Sequence, residues 1–170
     1  MGRLLLAGGV LYGTAEYDGD NGAGTVFSLN PNGTGFTALH SFSGSGTDGA
    51  QPEAGLVLVS GQLYGTTAWG DDGSTADDGT VFRVDIDGNN FTNLYSFTDN
   101  EGFRLGTELT VSGSTLYGTT GNGGPGGPFG SLFKVNTDGS GFATVVSFDY
   151  AHGWGPDGGV VLAGGVLYGV

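Results

Sequence analysis

The side chains able to do chemistry in this chain are mostly carboxylates, and they are bunched. Asp71-Asp72 and Asp77-Asp78 crowd one glycine-rich stretch, and Asp18 and Asp20 crowd an earlier one. Hard cations prefer clustered carboxylate and carbonyl oxygens, so these six aspartates are the candidate metal ligands and calcium is the candidate ion. Trp69 and Tyr17 stand beside the same stretches, and Tyr150 and Trp154 mark a third. Aromatic faces beside oxygen ligands suit a sugar, held by stacking and by contacts to the ion. Trp69, Trp154, Tyr17 and Tyr150 are therefore the candidate ligand-binding residues. The competing reading is that these are solvated loops whose acidic charge keeps a glycine-rich protein soluble.

No residue is a catalytic candidate. There are two histidines and no cysteine, which excludes a histidine-rich zinc site or a Cys-His pair within one chain. His152 has no sequence partner at catalytic spacing, and no Gly-x-Ser-x-Gly elbow occurs. Asp85-Ile86-Asp87-Gly88-Asn89-Asn90 looks like the opening of a calcium loop but lacks the closing glutamate. Asx residues and glycine are what a tight turn needs for its own backbone, and a plain turn is the reading adopted.

The elements that must position these residues recur. Leu-Tyr-Gly occurs at 11–13, 63–65, 116–118 and 167–169, which gives spacings of 52, 53 and 51 residues. Gly-Thr-Val-Phe at 24–27 returns at 79–82 and, as Gly-Ser-Leu-Phe, at 130–133; Ser-Phe returns at 41–42, 96–97 and 147–148. A fixed period of this length marks a repeat architecture. His40 falls on a repeat position that is Tyr95 and Val146 elsewhere, so it reads as a packed strand residue rather than a site needing imidazole.

In the second repeat four strands are expected, A at 55–59, B at 62–68, C at 79–85 and D at 91–97. They are short β-branched, aromatic and aliphatic runs bounded by Gly, Asn and Asp. The B–C and D–A connections are read as loops, and most carboxylates and both tryptophans fall in them. The expected repeats are about 3–50, 51–103, 104–155 and a partial one at 156–170, forming a single domain. Four antiparallel strands per fifty-odd residues predict an all-β fold of β-propeller blades, about 3.5 of them, as an open or partial propeller. Fourteen strands are expected, with exposed edges prone to self-association or to pairing with the remaining blades of a longer chain.

Composition sets outer limits. The 38 glycines have no three-residue period, which excludes collagen, and they fit short strands joined by tight turns. A formal charge of −13 disfavours nucleic acid and anionic membrane surfaces as partners. No apolar run reaches membrane-spanning length. The apolar opening is not read as a signal peptide, because residues 6–13 return unchanged at 162–169.

Pro-x-Ala-Gly-Leu-Val-Leu, Leu-Tyr-Gly-Thr-Thr, Gly-Thr-Val-Phe, Asp-Gly-x-x-Phe-Thr and Leu-x-Ser-Phe recur in order, and together they resemble the GloVer-type tandem repeat of bacterial choice-of-anchor proteins. The resemblance spans essentially the whole chain. It implies a propeller-like region of an exported or cell-surface protein, and it brings no catalytic residues. The expected function is a non-catalytic binding or display scaffold, with a carbohydrate or protein ligand. The alternative is a carbohydrate-active lyase or hydrolase that uses the acidic loops with a bound metal.

Overall fold

A computed structural model describes residues 2–44, 46–71, 79–98 and 100–169; of Gly46, Thr47 and Asp71 only the backbone is described. The described residues form sixteen strands and no helix. The first repeat gives β1 (Leu5–Ala7), β2 (Val10–Ala15), β3 (Thr25–Leu29) and β4 (Thr37–Ser41). Next come β5 (Gly46–Ala50), β6 (Val57–Val59), β7 (Gln62–Thr67), β8 (Trp69–Asp71), β9 (Thr80–Asp85) and β10 (Thr92–Ser96). The third repeat supplies β11 (Thr110–Ser112), β12 (Thr115–Thr120), β13 (Ser131–Asn136) and β14 (Ala143–Ser147). The chain continues through β15 (Val160–Ala163) and β16 (Val166–Gly169).

Three four-stranded antiparallel sheets follow chain order A-B-C-D: β1-β2-β3-β4, β6-β7-β9-β10 and β11-β12-β13-β14. β15 and β16 make a two-stranded sheet, equivalent to strands A and B. The same register shift recurs in the C–D pairing of all three full sheets. The four strands expected in the second repeat at A, B, C and D are all present, trimmed by a residue or two at their ends.

The strand period of two explains the paired apolar residues. In the second sheet, Leu63, Phe82 and Val84 join one core cluster with Tyr12, Val26, Leu39 and Phe42 of the first repeat. Their neighbours Tyr64 and Val81, with Phe97, join another cluster with Leu109, Leu116, Phe133 and Val135 of the third. Each Leu-Tyr step thus sends one side chain to each neighbouring sheet, so the middle sheet is buried on both faces. Aromatic rings lock the layers: Phe42 meets Phe82 at 5.2 Å and Phe97 meets Phe133 at 4.8 Å, both edge to face.

The glycine of Leu-Tyr-Gly is required by this packing. A Cβ on Gly65 would sit 2.6 Å from Phe82 Cζ and 2.9 Å from Leu56 Cδ2, and Gly118 faces Phe133 and Leu109 in the same way. The following threonine ties one repeat to the next. Thr14 Oγ1 donates to the Ala54 carbonyl at 2.8 Å, Thr66 Oγ1 to that of Leu105 at 2.8 Å, and Thr119 Oγ1 to that of Gly158 at 3.2 Å. The starts of three A strands also converge, where Arg3 pairs with Glu108 at 2.7 Å beside Gly55.

Two expectations are corrected. The all-β class and the four-stranded antiparallel sheets hold, but the β-propeller does not. No sheet closes into a barrel or curls as a propeller blade, and among the described residues no strand pairing joins the first sheet to the last. The period dictates hairpins within a repeat. It does not dictate how successive sheets are disposed, which depends on side chains meeting between layers. The second correction is β5 and β8, which lie in segments read as loops and pair antiparallel, with Ala50 opposite Trp69 and Gly46 opposite Asp71. They raise the strand count from the expected fourteen to sixteen.

Candidate functional site

The connections that carry the candidate residues are shaped by a recurring backbone device. Gln51, Arg104 and Gly155 hold equivalent positions ahead of strand A, and all three have positive φ, at 56°, 63° and 62°. This left-handed residue turns the chain so that it pairs with the following B–C connection. The Ala68 N–H donates to the Gln51 carbonyl at 3.0 Å and the Gly121 N–H to that of Arg104 at 3.1 Å. Two non-glycine residues hold a conformation that costs roughly 1–2 kcal/mol. Backbone hydrogen bonds thus hold the described parts of these connections at the first two repeat junctions.

The aromatic candidates separate into three places. Tyr17 lines a cleft of about 450 Å³ with Glu16, Pro52 and Glu53. Hydrogen bonding to Glu16, and then its charge, raise the Tyr17 phenol above its ordinary value. Trp69 lies in β8 and is half-buried, with its indole Nε1 enclosed and without a hydrogen-bond partner among the described residues. Tyr150 and Trp154 share the connection after β14, where Tyr150 meets Phe129 edge to face at 4.5 Å. Trp154 lines a second cleft, of about 380 Å³, with His152, Val146, Phe148, Val160 and Leu167.

The structure describes the side chains of two of the six acidic candidates, Asp18 and Asp20. Asp18 and Asp20 are exposed, and Asp18 has a positive φ of 65° while its carbonyl accepts from the Gly24 N–H at 2.9 Å. Asp71 ends β8; Asp72, Asp77 and Asp78 lie outside the described residues. Among the described residues no group of three or more His, Asp or Glu could hold a metal ion. The calcium-like stretch is a turn whose carboxylates accept hydrogen bonds from neighbouring protein groups. Asp85 accepts from Gln62 Nε2 at 3.0 Å and from Asn90 Nδ2 at 2.7 Å, and Asp87 accepts from the Asn89 N–H at 3.0 Å. Those bonds, from Asn90 first, hold the Asp85 carboxyl below its ordinary value.

Both histidines carry partners that the sequence reading missed. His152 Nδ1 lies 2.7 Å from Asp149 Oδ1, which also accepts from the Ala151 and His152 N–H groups at 2.9 and 2.8 Å. The i, i+3 spacing of Asp149 and His152 was the available signal. The hydrogen bond from His152 leads the causes that lower the Asp149 carboxyl. His40 stacks on Phe91 at 3.6 Å and 4°, with Asp48 Oδ2 at 3.3 Å from Nε2, at ion-pair distance but without hydrogen-bond alignment. Glu53 reappears with Arg104 and Asp157 along a smaller cleft of about 170 Å³ where three connections meet. Two carboxylates and a guanidinium in one cleft can bind a polar ligand or move a proton.

A family model of the Gloeobacter/Verrucomicrobia repeat matches residues 1–170. The chain belongs to that repeat family. Among curated proteins none matches the sequence. Among solved structures, a chain of a nidogen/laminin complex aligns with a TM-score of 0.63 at 18% identity, over 95% of this chain and 51% of that one. The tricorn protease aligns with a TM-score of 0.53 at 18% identity, over 86% of this chain and 13% of its own. The AtxE2 isopeptidase aligns with a TM-score of 0.55 at 12% identity, over 87% of this chain and 21% of its own. The repeat thus spans about half or less of each of these chains, and at such identities the likeness is one of β-rich fold alone.

Proposed function

We propose that this GloVer repeat module is a non-catalytic scaffold for binding or display in an exported or cell-surface bacterial protein. The supporting observation is a division between strands and connections. Both faces of the second sheet are spent on sheet-to-sheet packing, whereas Tyr17, Tyr150 and Trp154 on the connections stay 59%, 87% and 73% exposed. Exposed aromatics on a fixed backbone offer stacking surface at small entropic cost, as a carbohydrate or protein ligand requires. The exported or surface placement rests on the resemblance to choice-of-anchor proteins. No helix among the described residues is long and apolar enough to cross a membrane.

A second reading is a carbohydrate-active lyase or hydrolase, and the cleft shared by Glu53, Asp157 and Arg104 is what favours it. One experiment addresses both. The protein is screened against polysaccharides for retention and for release of new chain ends, beside a variant with Tyr17→Ala and Tyr150→Ala. Retention by the parent, weakened in the variant and without turnover, supports the scaffold. Turnover that is lost in Glu53→Gln supports the enzyme. No retained polysaccharide overturns the carbohydrate-binding form of the proposal.

A further inference from the structure

The small cleft where three connections meet is opened by two glycines that break the repeat. Gly106 holds the position that is Glu53 one repeat earlier and Asp157 one repeat later, and Gly121 holds the position that is Glu16 in the first repeat. A Cβ on Gly106 would sit 3.1 Å from Glu53 Oε2, and one on Gly121 would sit 3.8 Å from Arg104 Cδ. Side chains at these positions would narrow the cleft of about 170 Å³ that Glu53, Arg104 and Asp157 line with the two glycines. The third repeat thus lacks side chains where other repeats carry carboxylates, and the space falls among three charged groups.

Those groups do not neutralise one another. Arg3 and Glu108 close an ion pair at 2.7 Å beside Gly55, whereas among the described residues Glu53, Arg104 and Asp157 form none. Glu53 is half-buried, and Arg104 and Asp157 are exposed, so a ligand reaches all three. Carboxylates accept from an ammonium group, and a guanidinium donates to hydroxyl oxygens, so the set fits a cation that also carries neutral oxygens. An anionic ligand is disfavoured by the excess of carboxylates here and by the formal charge of −13. Glu53 also lines the larger cleft of about 450 Å³ with Glu16 and Tyr17, whose ring is 59% exposed. An amphipathic aromatic face beside carboxylates takes a sugar ring.

We propose that the cleft of Glu53, Asp157 and Arg104 binds the free ammonium group of an amino sugar, with an adjoining ring of the same chain against Tyr17. This rests on the carbohydrate-binding reading of the connections and names the sugar class. Glu53, common to both clefts, and Asp157 accept from the ammonium group. Arg104 donates to ring hydroxyl oxygens, and Glu16 and Tyr17 hold the adjoining ring.

The test is calorimetric titration of the full chain with the glucosamine tetrasaccharide and with its N-acetylated counterpart, which keeps the rings and loses the charge. Saturable binding of the free-amine sugar alone is expected, weakening as salt rises. Glu53→Gln with Asp157→Asn should weaken it roughly tenfold or more. Asp87→Asn with Asp138→Asn removes the same charge from two turns where an asparagine already serves in the first repeat, as Asn32 accepting from the Thr34 N–H. That variant should bind as the parent does. Equal binding of the two sugars overturns the ammonium site while leaving the carbohydrate-binding reading in place. Equal losses in the two paired variants, or no saturable binding of the free-amine sugar, also overturn it. Tetralysine binding more tightly than the sugar would assign the cleft to peptide amines and overturn it too.

Discussion

His40 shows how much one residue of a repeat conveys and where it stops. Its rotation through Tyr95 and Val146 marks a packing position, and the ring does stack on Phe91. Its neighbour Asp48 was not legible, because that carboxylate arrives from β5, a segment without strand composition. Burial lowers the His40 pKa, and the Asp48 charge only partly opposes it. Folding thus disfavours the imidazolium, and the unfolded chain takes up the proton first. This component of stability is complete above about pH 6.5 and is lost as pH falls through the depressed folded value. His40→Tyr, the residue type of the second repeat, removes it. Denaturant midpoints measured stepwise between about pH 5 and 7 should therefore fall less steeply in the variant than in the parent. Parallel curves would show that His40 is not held neutral by burial. The phenol of Tyr95, at the same repeat position, is pushed up to about 12 by burial first and Glu101 second.

Strands A to D were legible because aromatic and β-branched runs alternate with Gly, Asn and Asp at a fixed beat. β5 and β8 were not, since Gly46-Thr47-Asp48-Gly49-Ala50 and Trp69-Gly70-Asp71 have turn composition and gain strand form only by pairing across a repeat junction. For the same reason Trp69 lies half-buried in a strand, whereas Tyr17, Tyr150 and Trp154 remain exposed on connections. Elements also differ in how well they are held. β7 and β9 are hydrogen-bonded on both edges and covered on both faces, while among the described residues β16 has one partner and leaves Tyr168 58% exposed. Native-state hydrogen exchange should find the amides of β7 and β9 protected to near the global unfolding free energy, and those of β15 and β16 opening locally and much faster. Uniform protection across these strands would contradict this ordering.

At the scale of the molecule, two apolar clusters lie on either side of the second sheet and bury it on both faces. The repeat period carried no information about how the sheets are arranged together, so the open or partial propeller of four-stranded blades did not follow from it. What the structure supplies is a stack in which aromatic rings at equivalent positions lock each sheet to the next, leaving the connections to carry exposed aromatics. The most direct test of that account is a double-mutant cycle on Tyr95 and Phe142, stacked at 3.9 Å and 8° between the second and third sheets. Stability is measured for the parent, Tyr95→Ala, Phe142→Ala and the pair. Face-to-face docking predicts a coupling of about 0.5–1.5 kcal/mol. Losses that simply add, with a coupling below about 0.3 kcal/mol, would contradict it.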